Sequence, residues 1–220
     1  MIPGVRLVML GRQGAGKGTQ ATRMSRHYVV PHISTGDMLR SAVREGSELG
    51  LKAGELMAAG ELVGDDIMIG IVEERLNQGD TTQRGYILDG FPRTPDQAEA
   101  LAEITAARPL DLVVDLDVAK EVVLERLASR RMCNDCGANY STDSPPKYGW
   151  VCDNCGGDVV QRDDDTPAAI QKRLDEYDRK TAPLIDWYKD RQLLEVVDGL
   201  GAPDEVSRRL IEVVDSYRQD

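Results

Sequence analysis

Val5-Arg6-Leu7-Val8-Met9-Leu10-Gly11-Arg12-Gln13-Gly14-Ala15-Gly16-Lys17-Gly18-Thr19-Gln20 runs from branched apolar residues into a glycine-rich turn, and from there into helical spacing. The apolar run reads as a buried strand. Glycines let successive backbone N–H groups point into one concavity, which suits an anion. The helix that follows offers its positive N-terminal end to the same anion. Lys17 adds a full charge against the outer phosphates of a nucleotide. Strand, phosphate-binding turn and helix together predict an open parallel α/β sheet built outward from this segment.

The spacing of Gly11, four residues, then Gly16-Lys17 fits the phosphate-loop pattern. Gly18 stands where the strict pattern has Ser or Thr, and the hydroxyl comes one residue later, at Thr19. A chain of 220 residues allows one large domain or a core with small insertions. The net charge of −11 leaves no broad basic surface for non-specific nucleic-acid binding and argues against docking on anionic membranes. The sequence has no apolar run of about 18 residues, so no transmembrane helix is expected. Met1-Ile2-Pro3-Gly4 leads into the first strand without a signal-peptide pattern, which makes the cytoplasm the expected location.

Further along, Ser34 or Thr35 caps a helix with Asp37 in its first turn. Residues 35–64 read as short helices broken by Gly46, Gly50, Gly54, Gly60 and Gly64. A helix over about 65–78 carries Ile67, Ile71, Val72 and Leu76 at core spacing. Gly85-Tyr86-Ile87-Leu88-Asp89-Gly90-Phe91-Pro92-Arg93 is a buried strand ending in a carboxylate, the position from which phosphate-loop proteins hold Mg²⁺. The alternating acids of Leu110–Asp117 predict a strand with one side meeting water, at least near its ends. A helix over about 119–131 puts Arg126 and Arg130 on one face, either as a cationic helix end or as a phosphate clamp. His27 and His32 lack acid or cysteine partners nearby in sequence and read as structural.

Cys133, Cys136, Cys152 and Cys155 form C-x2-C, fifteen residues, C-x2-C. In an oxidising compartment they could pair as disulfides, but in a reducing cytosol they read as a four-thiolate zinc site. The segment around them is poor in aliphatic residues and too small for a core of its own, so metal would hold it together. Asp163-Asp164-Asp165 is either a solvated turn or a carboxylate pair orienting nearby arginines, and Thr166-Pro167 starts the next helix. A helix ending near Tyr188, a strand over 193–197 and a helix over 203–217 complete the chain. Five strands each followed by a helix give a parallel, doubly wound sheet.

No general base or nucleophile stands out. Phosphoryl transfer needs mainly positioning and charge neutralisation. An acceptor that is itself a phosphate is already largely ionised at neutral pH and needs no base, but it does need cations.

With these motifs assembled, the chain resembles the adenylate kinase family in its long form with a zinc-bearing lid, over essentially all 220 residues. The resemblance rests on Gly14-Ala15-Gly16-Lys17-Gly18-Thr19-Gln20, Ser34-Thr35-Gly36-Asp37-Met38-Leu39-Arg40, Asp89-Gly90-Phe91-Pro92-Arg93-Thr94, and Asp164-Asp165 with Arg173-Leu174. It implies an α/β fold: a phosphate-loop NTPase-type parallel five-stranded sheet flanked by helices, with a helical NMP-binding insertion and a zinc-stapled lid. The implied divisions are a core of 1–33, 65–129 and 166–220, an NMP-binding domain at 34–64 and a lid at 130–165.

The implied reaction is ATP + AMP ⇌ 2 ADP. Gly14, Ala15, Gly16, Lys17, Gly18 and Thr19 would hold the ATP phosphates. Arg126 and Arg130 would reach ATP from the lid hinge, Asn139 and Tyr140 would lie over it, and the backbone near Gly201 would meet adenine. Thr35, Arg40, Glu61, Leu62, Val63, Gly90, Phe91, Pro92, Arg93 and Gln97 would form the AMP site. Arg162 and Arg173 would also face AMP and stabilise the transferring phosphoryl group, beside Lys17, Arg93 and Arg130. Asp89 would bind magnesium through water, and Cys133, Cys136, Cys152 and Cys155 would hold structural zinc. The expected partners are small nucleotides, with neither nucleic acid nor membrane, and the expected state is monomeric.

The chain departs from the family at Arg12-Gln13, where a proline is common at the second position, at Ser141, where histidine is common, and at Trp150. Another nucleoside monophosphate kinase, or a GTP-dependent AMP kinase, is the near alternative. A zinc-ribbon nucleic-acid-binding ATPase is disfavoured because Lys147 is the one cation between Cys133 and Cys155, against Asp135, Asp143 and Asp153. A non-catalytic nucleotide sensor is disfavoured by Lys17, Asp89 and the arginines.

Overall fold

The computed structural model describes residues 4–217, so Met1, Ile2 and Pro3 of the opening segment lie outside the described residues. The chain runs β1 (Arg6–Leu10), α1 (Lys17–Tyr28), β2 (His32–Ser34), α2 (Thr35–Arg44), α3 (Glu48–Ala58), α4 (Asp65–Leu76), α5 (Gly79–Arg84), β3 (Tyr86–Asp89), α6 (Pro95–Ile104), β4 (Leu112–Asp117) and α7 (Lys120–Ser129). It continues through β5 (Arg130–Cys133), β6 (Asn139–Ser141), β7 (Val159–Val160), α8 (Pro167–Glu176), a π-helical turn (Tyr177–Thr181), α9 (Pro183–Lys189), β8 (Leu194–Asp198) and α10 (Pro203–Tyr217).

Five strands form one parallel sheet in the order β2-β3-β1-β4-β8. Successive residues of β1 point to opposite faces. Leu7 and Met9 join the cluster that includes Met24, Leu127, Leu174 and Leu210 on one side. Val8 and Leu10 join Leu39, Val72, Leu101 and Leu184 on the other. With both faces covered, the strands read as continuous apolar runs. The chain crosses from the β3 side of β1 to the β4 side, which opens a crevice at the strands' C-terminal ends, where the phosphate loop sits.

Local chemistry explains several boundaries. Ser34 Oγ accepts from Asp37 N at 3.2 Å and caps α2. Thr166 Oγ1 accepts from Ala169 N at 3.2 Å, with Pro167 in the first turn of α8. Long-range packing overrides local expectation elsewhere. Gly50 lies inside α3 and does not break it; a Cβ there would come within 2.0 Å of Ala42 O, so the glycine lets α2 and α3 pack closely. Gly54 lies within the same helix. In α4, Ile67 faces solvent and Met68 takes its core position. The expected 65–78 helix stops at Leu76, because Thr81 Oγ1 donates to Leu76 O at 2.9 Å and turns the chain into α5.

β4 meets water near its ends, where Asp117 is exposed and Asp111, which precedes the strand, pairs with Arg6 at 2.7 Å, while Asp115 within it is buried beside the phosphate loop. One further expectation is corrected. Arg130 and Arg131 are not helical. The chain extends at Arg130 because β5 pairs with β6 and β7 in a separate antiparallel sheet, so Arg126 and Arg130 do not share a helix face. The helix expected to end near Tyr188 is α9, which closes at Lys189, and the π-helical turn joins it to α8.

Candidate functional site

A cleft of about 900 Å³ opens between the C-terminal ends of the parallel strands, the α2–α3 insertion and the small three-stranded sheet. The phosphate loop forms its floor. Lys17 starts α1 and donates through Nζ to Gly11 O at 2.7 Å and to Arg12 O at 3.1 Å. Burial lowers the Lys17 pKa, with Arg93 and Arg130 adding to the effect and Asp89 and Asp115 opposing it. Gly14, Ala15, Gly16, Gly18 and Thr19 line the same floor.

Asp89 closes β3 and reaches the loop at Gly18, where a Cβ would meet its Oδ2 at 3.5 Å. Burial alone would push its carboxyl upward. The neighbouring His32 imidazole and the charges of Lys17 and Arg93 outweigh burial and hold it below the usual carboxylate range. An ionised, buried carboxylate beside a phosphate loop fits a magnesium–nucleotide complex. His32, which reads from sequence as a lone histidine, has its Nε2 3.6 Å from Asp89 Oδ2. The partner is 57 residues away in sequence, and only the pairing of β2 with β3, Ser34 opposite Asp89, brings the two strands together.

The arginines converge on this floor from five segments of the chain. Arg93 lies just past β3, donates to Gly90 O at 2.8 Å, and has its pKa lowered by burial and then by Arg40 and Arg173. Arg130 at the start of β5 donates through Nε to Asp165 Oδ2 at 2.7 Å. Arg173 on α8 donates to Asp164 Oδ2 at 3.0 Å. Asp164 and Asp165 therefore orient arginines and do not form a solvated turn. Arg40 is paired with Asp37 one turn earlier. Arg162 has Met132 Sδ at 3.0 Å as a weak acceptor; burial and then Arg130 push its pKa down to about 10, so it stays charged at neutral pH. Five guanidiniums gathered around one cleft make a site for polyanions.

The remaining residues implied by the family resemblance fall in two regions. Arg126 donates to Ala15 O at 3.0 Å and Gly199 O at 3.3 Å, tying the phosphate loop to the segment that reaches Gly201. Asn139 and Tyr140 line the cleft from β6, but the Tyr140 hydroxyl is committed to the cysteine cluster: it accepts from Asp153 N at 2.9 Å and lies 3.4 Å from Cys152 Sγ. On the opposite side, Thr35, Arg40, Glu61, Leu62, Val63, Gly90, Pro92, Arg93 and Gln97 line the cleft. Phe91 does not; its ring is buried in the core cluster under α4 and α6. Gln97 already accepts from Arg93 N and donates to Asp65 Oδ1, both at 2.8 Å, which leaves one N–H and one lone pair for a base. Asp65, also bound by Thr94 Oγ1 at 2.8 Å, is a supporting residue with no local sequence signal. Arg12 does not line the cleft but packs on the Tyr177 ring at 5.4 Å, and Trp150 sits half-exposed under Arg131 at 5.9 Å.

The four cysteine sulfurs lie within 4.8 Å of one another, with Cys133–Cys155 and Cys136–Cys152 at 3.5 Å. A tetrahedral thiolate site with Zn–S bonds of about 2.3 Å has S···S edges of about 3.8 Å, so the donor set fits zinc. Asn154 N also points at Cys152 Sγ, 3.4 Å away, an outer contact of the kind that orients a thiolate. Among the described residues no helix is long and apolar enough to cross a membrane.

The family profile described as Adenylate kinase matches residues 9–193. Adenylate kinase of Methanococcoides burtonii is 46% identical over 215 residues, covering 96% of this chain and 99% of that protein. The enzyme of Methanosarcina barkeri is 49% identical over 214 residues, with the same coverage. That of Moorella thermoacetica is 50% identical over 198 residues, covering 89% of this chain and 91% of its own.

Proposed function

The chain belongs to the adenylate kinase family and transfers a phosphoryl group reversibly from ATP to AMP, giving two ADP; we propose that Lys17, Arg93, Arg130, Arg162, Arg173 and Asp89 carry the transfer, and that the reaction serves adenine nucleotide balance. The observation that carries this assignment of residues is the convergence of Lys17 and five arginines on one cleft with a buried, ionised Asp89. ATP lies on the loop from Gly14 to Thr19, flanked by Arg126, Asn139, Tyr140 and the backbone near Gly201. AMP lies against Thr35, Arg40, Glu61–Val63, Gly90–Arg93 and Gln97, with Phe91 acting through the shape of its backbone.

Two polyanions repel each other, and each arginine offsets charge where it develops during transfer. Arg130 and Arg173 are preoriented by Asp165 and Asp164, so little reorganisation is needed. Asp89 holds magnesium through water, which neutralises phosphate charge. The cysteines hold a structural zinc that staples the 130–165 segment as a lid, while 34–64 forms the AMP-binding domain and the rest the core. Closing both over the core excludes water, the competing acceptor. The enzyme acts as a cytoplasmic monomer, without nucleic acid or membrane.

A coupled assay with ATP and a panel of AMP, GMP, CMP and UMP tests the acceptor. AMP is expected to be preferred, and equal or better turnover of another monophosphate would overturn the AMP site. Replacing ATP by GTP in the same assay tests the donor.

A further inference from the structure

We infer that Arg12 is a positioning residue for Lys17, acting as a clamp between the phosphate loop and the π-helical turn Tyr177–Thr181. The inference rests on the phosphoryl-transfer reading of the cleft. Gly11 and Gln13 line the cleft, and Arg12 between them does not. It crosses to a segment 165 residues away, where its guanidinium lies over the Tyr177 ring at 5.4 Å and donates to Asp178 Oδ1 at 3.1 Å. Both contacts hold one plane of one side chain, which suits arginine and not lysine.

The backbone of the same residue touches the reacting centre. Arg12 O accepts from Lys17 Nζ at 3.1 Å, next to Gly11 O at 2.7 Å. The direction of the Lys17 ammonium therefore depends on where the Arg12 peptide sits, and the side chain pins that peptide. Asp178 is itself held, with Lys120 Nζ 3.9 Å from its Oδ2. Lys120 begins α7, whose Arg126 returns to the loop at Ala15 O. The loop is thus braced on both sides.

Buried Asp115 completes the arrangement behind the loop. It faces Lys17, Arg12 and Tyr177 from β4, and among the described residues its Oδ1 and the Arg12 Nε have no hydrogen-bond partner. The far end of the π-helical turn reaches the acceptor side, where Thr181 Oγ1 donates to Arg93 O at 2.9 Å. One wide turn, a geometry frequent at functional sites, therefore connects the peptide that aims Lys17 with the peptide of Arg93. Arg173 lies one helical turn before it. In this reading the clamp fixes the spacing between the donor-side and acceptor-side cations.

The test is a double-mutant cycle of Arg12→Met and Asp178→Asn in the full chain, with ATP affinity by calorimetry, KM for each nucleotide, kcat and melting temperature. Neither side chain is fully buried, and the fold is expected to survive. Arg12→Met should weaken ATP binding about fivefold and raise KM for ATP similarly, while KM for AMP moves less than about twofold. Asp178→Asn should act in the same direction and less, because the Tyr177 ring remains. The combined variant should be no worse than about the Arg12→Met chain alone. Additive losses, equal rises in both KM values, unchanged ATP affinity, or a change confined to melting temperature would each overturn the clamp. ATP affinity reports on the clamp whatever the acceptor, and turnover of the unaltered chain with AMP reports separately on the reaction.

Discussion

Asp165→Asn is the perturbation that weighs most on the proposed site. The Asp165 side chain is 0% exposed and binds Arg130, itself 16% exposed, through both guanidinium nitrogens that face it. Arg173, 15% exposed, lies 3.5 Å from the same carboxylate. Asparagine keeps the shape, removes the charge and turns an N–H toward a cation. Breaking a buried ion pair by removing one partner costs about 3–5 kcal/mol. The arginines retain some solvent, and Arg173 keeps Asp164, so the lower end of about 3 kcal/mol applies. For a chain of this size that corresponds to about 6–12 °C in melting temperature. Scanning calorimetry with and without ADP is the assay. ADP should raise the melting temperature of the variant more than that of the parent, because phosphates replace the missing anion. Turnover should fall, since Arg130 loses its orientation. A shift below about 2 °C with turnover intact would refute the view that Asp165 holds these arginines.

Gly90→Ala should raise KM for AMP about tenfold while KM for ATP stays within about twofold, because Gly90 has φ 88° and a Cβ would meet Thr35 Oγ1 at 2.7 Å. Elemental analysis should find one zinc per chain, and chelation should make residues 130–165 protease-sensitive while the core stays resistant, since the buried cluster there consists of Cys133, Cys152 and Val159 alone among the described residues. Asp115→Asn should raise the melting temperature at pH 7. Burial and then Asp117 push the Asp115 carboxyl up from 3.8, so its ionised form costs stability above that value. The gain should shrink as pH falls toward about 4 and vanish below it, where the native and unfolded chains both carry a protonated Asp115; urea unfolding at several pH values reads this.

What could be read from sequence depended on whether the cause was local. Ser34, Thr166 and Pro167 declare their helix starts through bonds two or three residues long. The bounds of α1 and α10 follow from glycine or proline at one end and apolar periodicity along the body. The phosphate loop and the four cysteines carry their chemistry in their spacing. Arg130 shows where this stops: helical spacing continues through it, yet β5 needs its backbone, and partners at Ser141 and Val160 outweigh one more helical turn. The acids of β4 show a related limit: Asp117 at its end meets water, while Asp115 within it is buried. Alternation implies a wet face only if one face of the sheet is open, and here helices cover both.

The same distinction separates the parts of the site. Residues that would meet phosphate lie in motifs, because backbone shape and charge must be supplied together at one point in the chain. Those that hold them lie far away: His32 from Asp89, Asp65 from Gln97, Asp178 from Arg12. Each of these supports is a single polar residue with no pattern around it, and each becomes visible once the sheet order β2-β3-β1-β4-β8 brings its partner near. A substitution at such a support should therefore leave the motifs intact and still change the chemistry. Activity assays on Asp65→Asn, which leaves every motif residue in place, would show the effect as a rise in KM for AMP, because Gln97 and Thr94 lose a common anchor. Unchanged AMP affinity in that variant would mean that Gln97 is held by the Arg93 peptide alone.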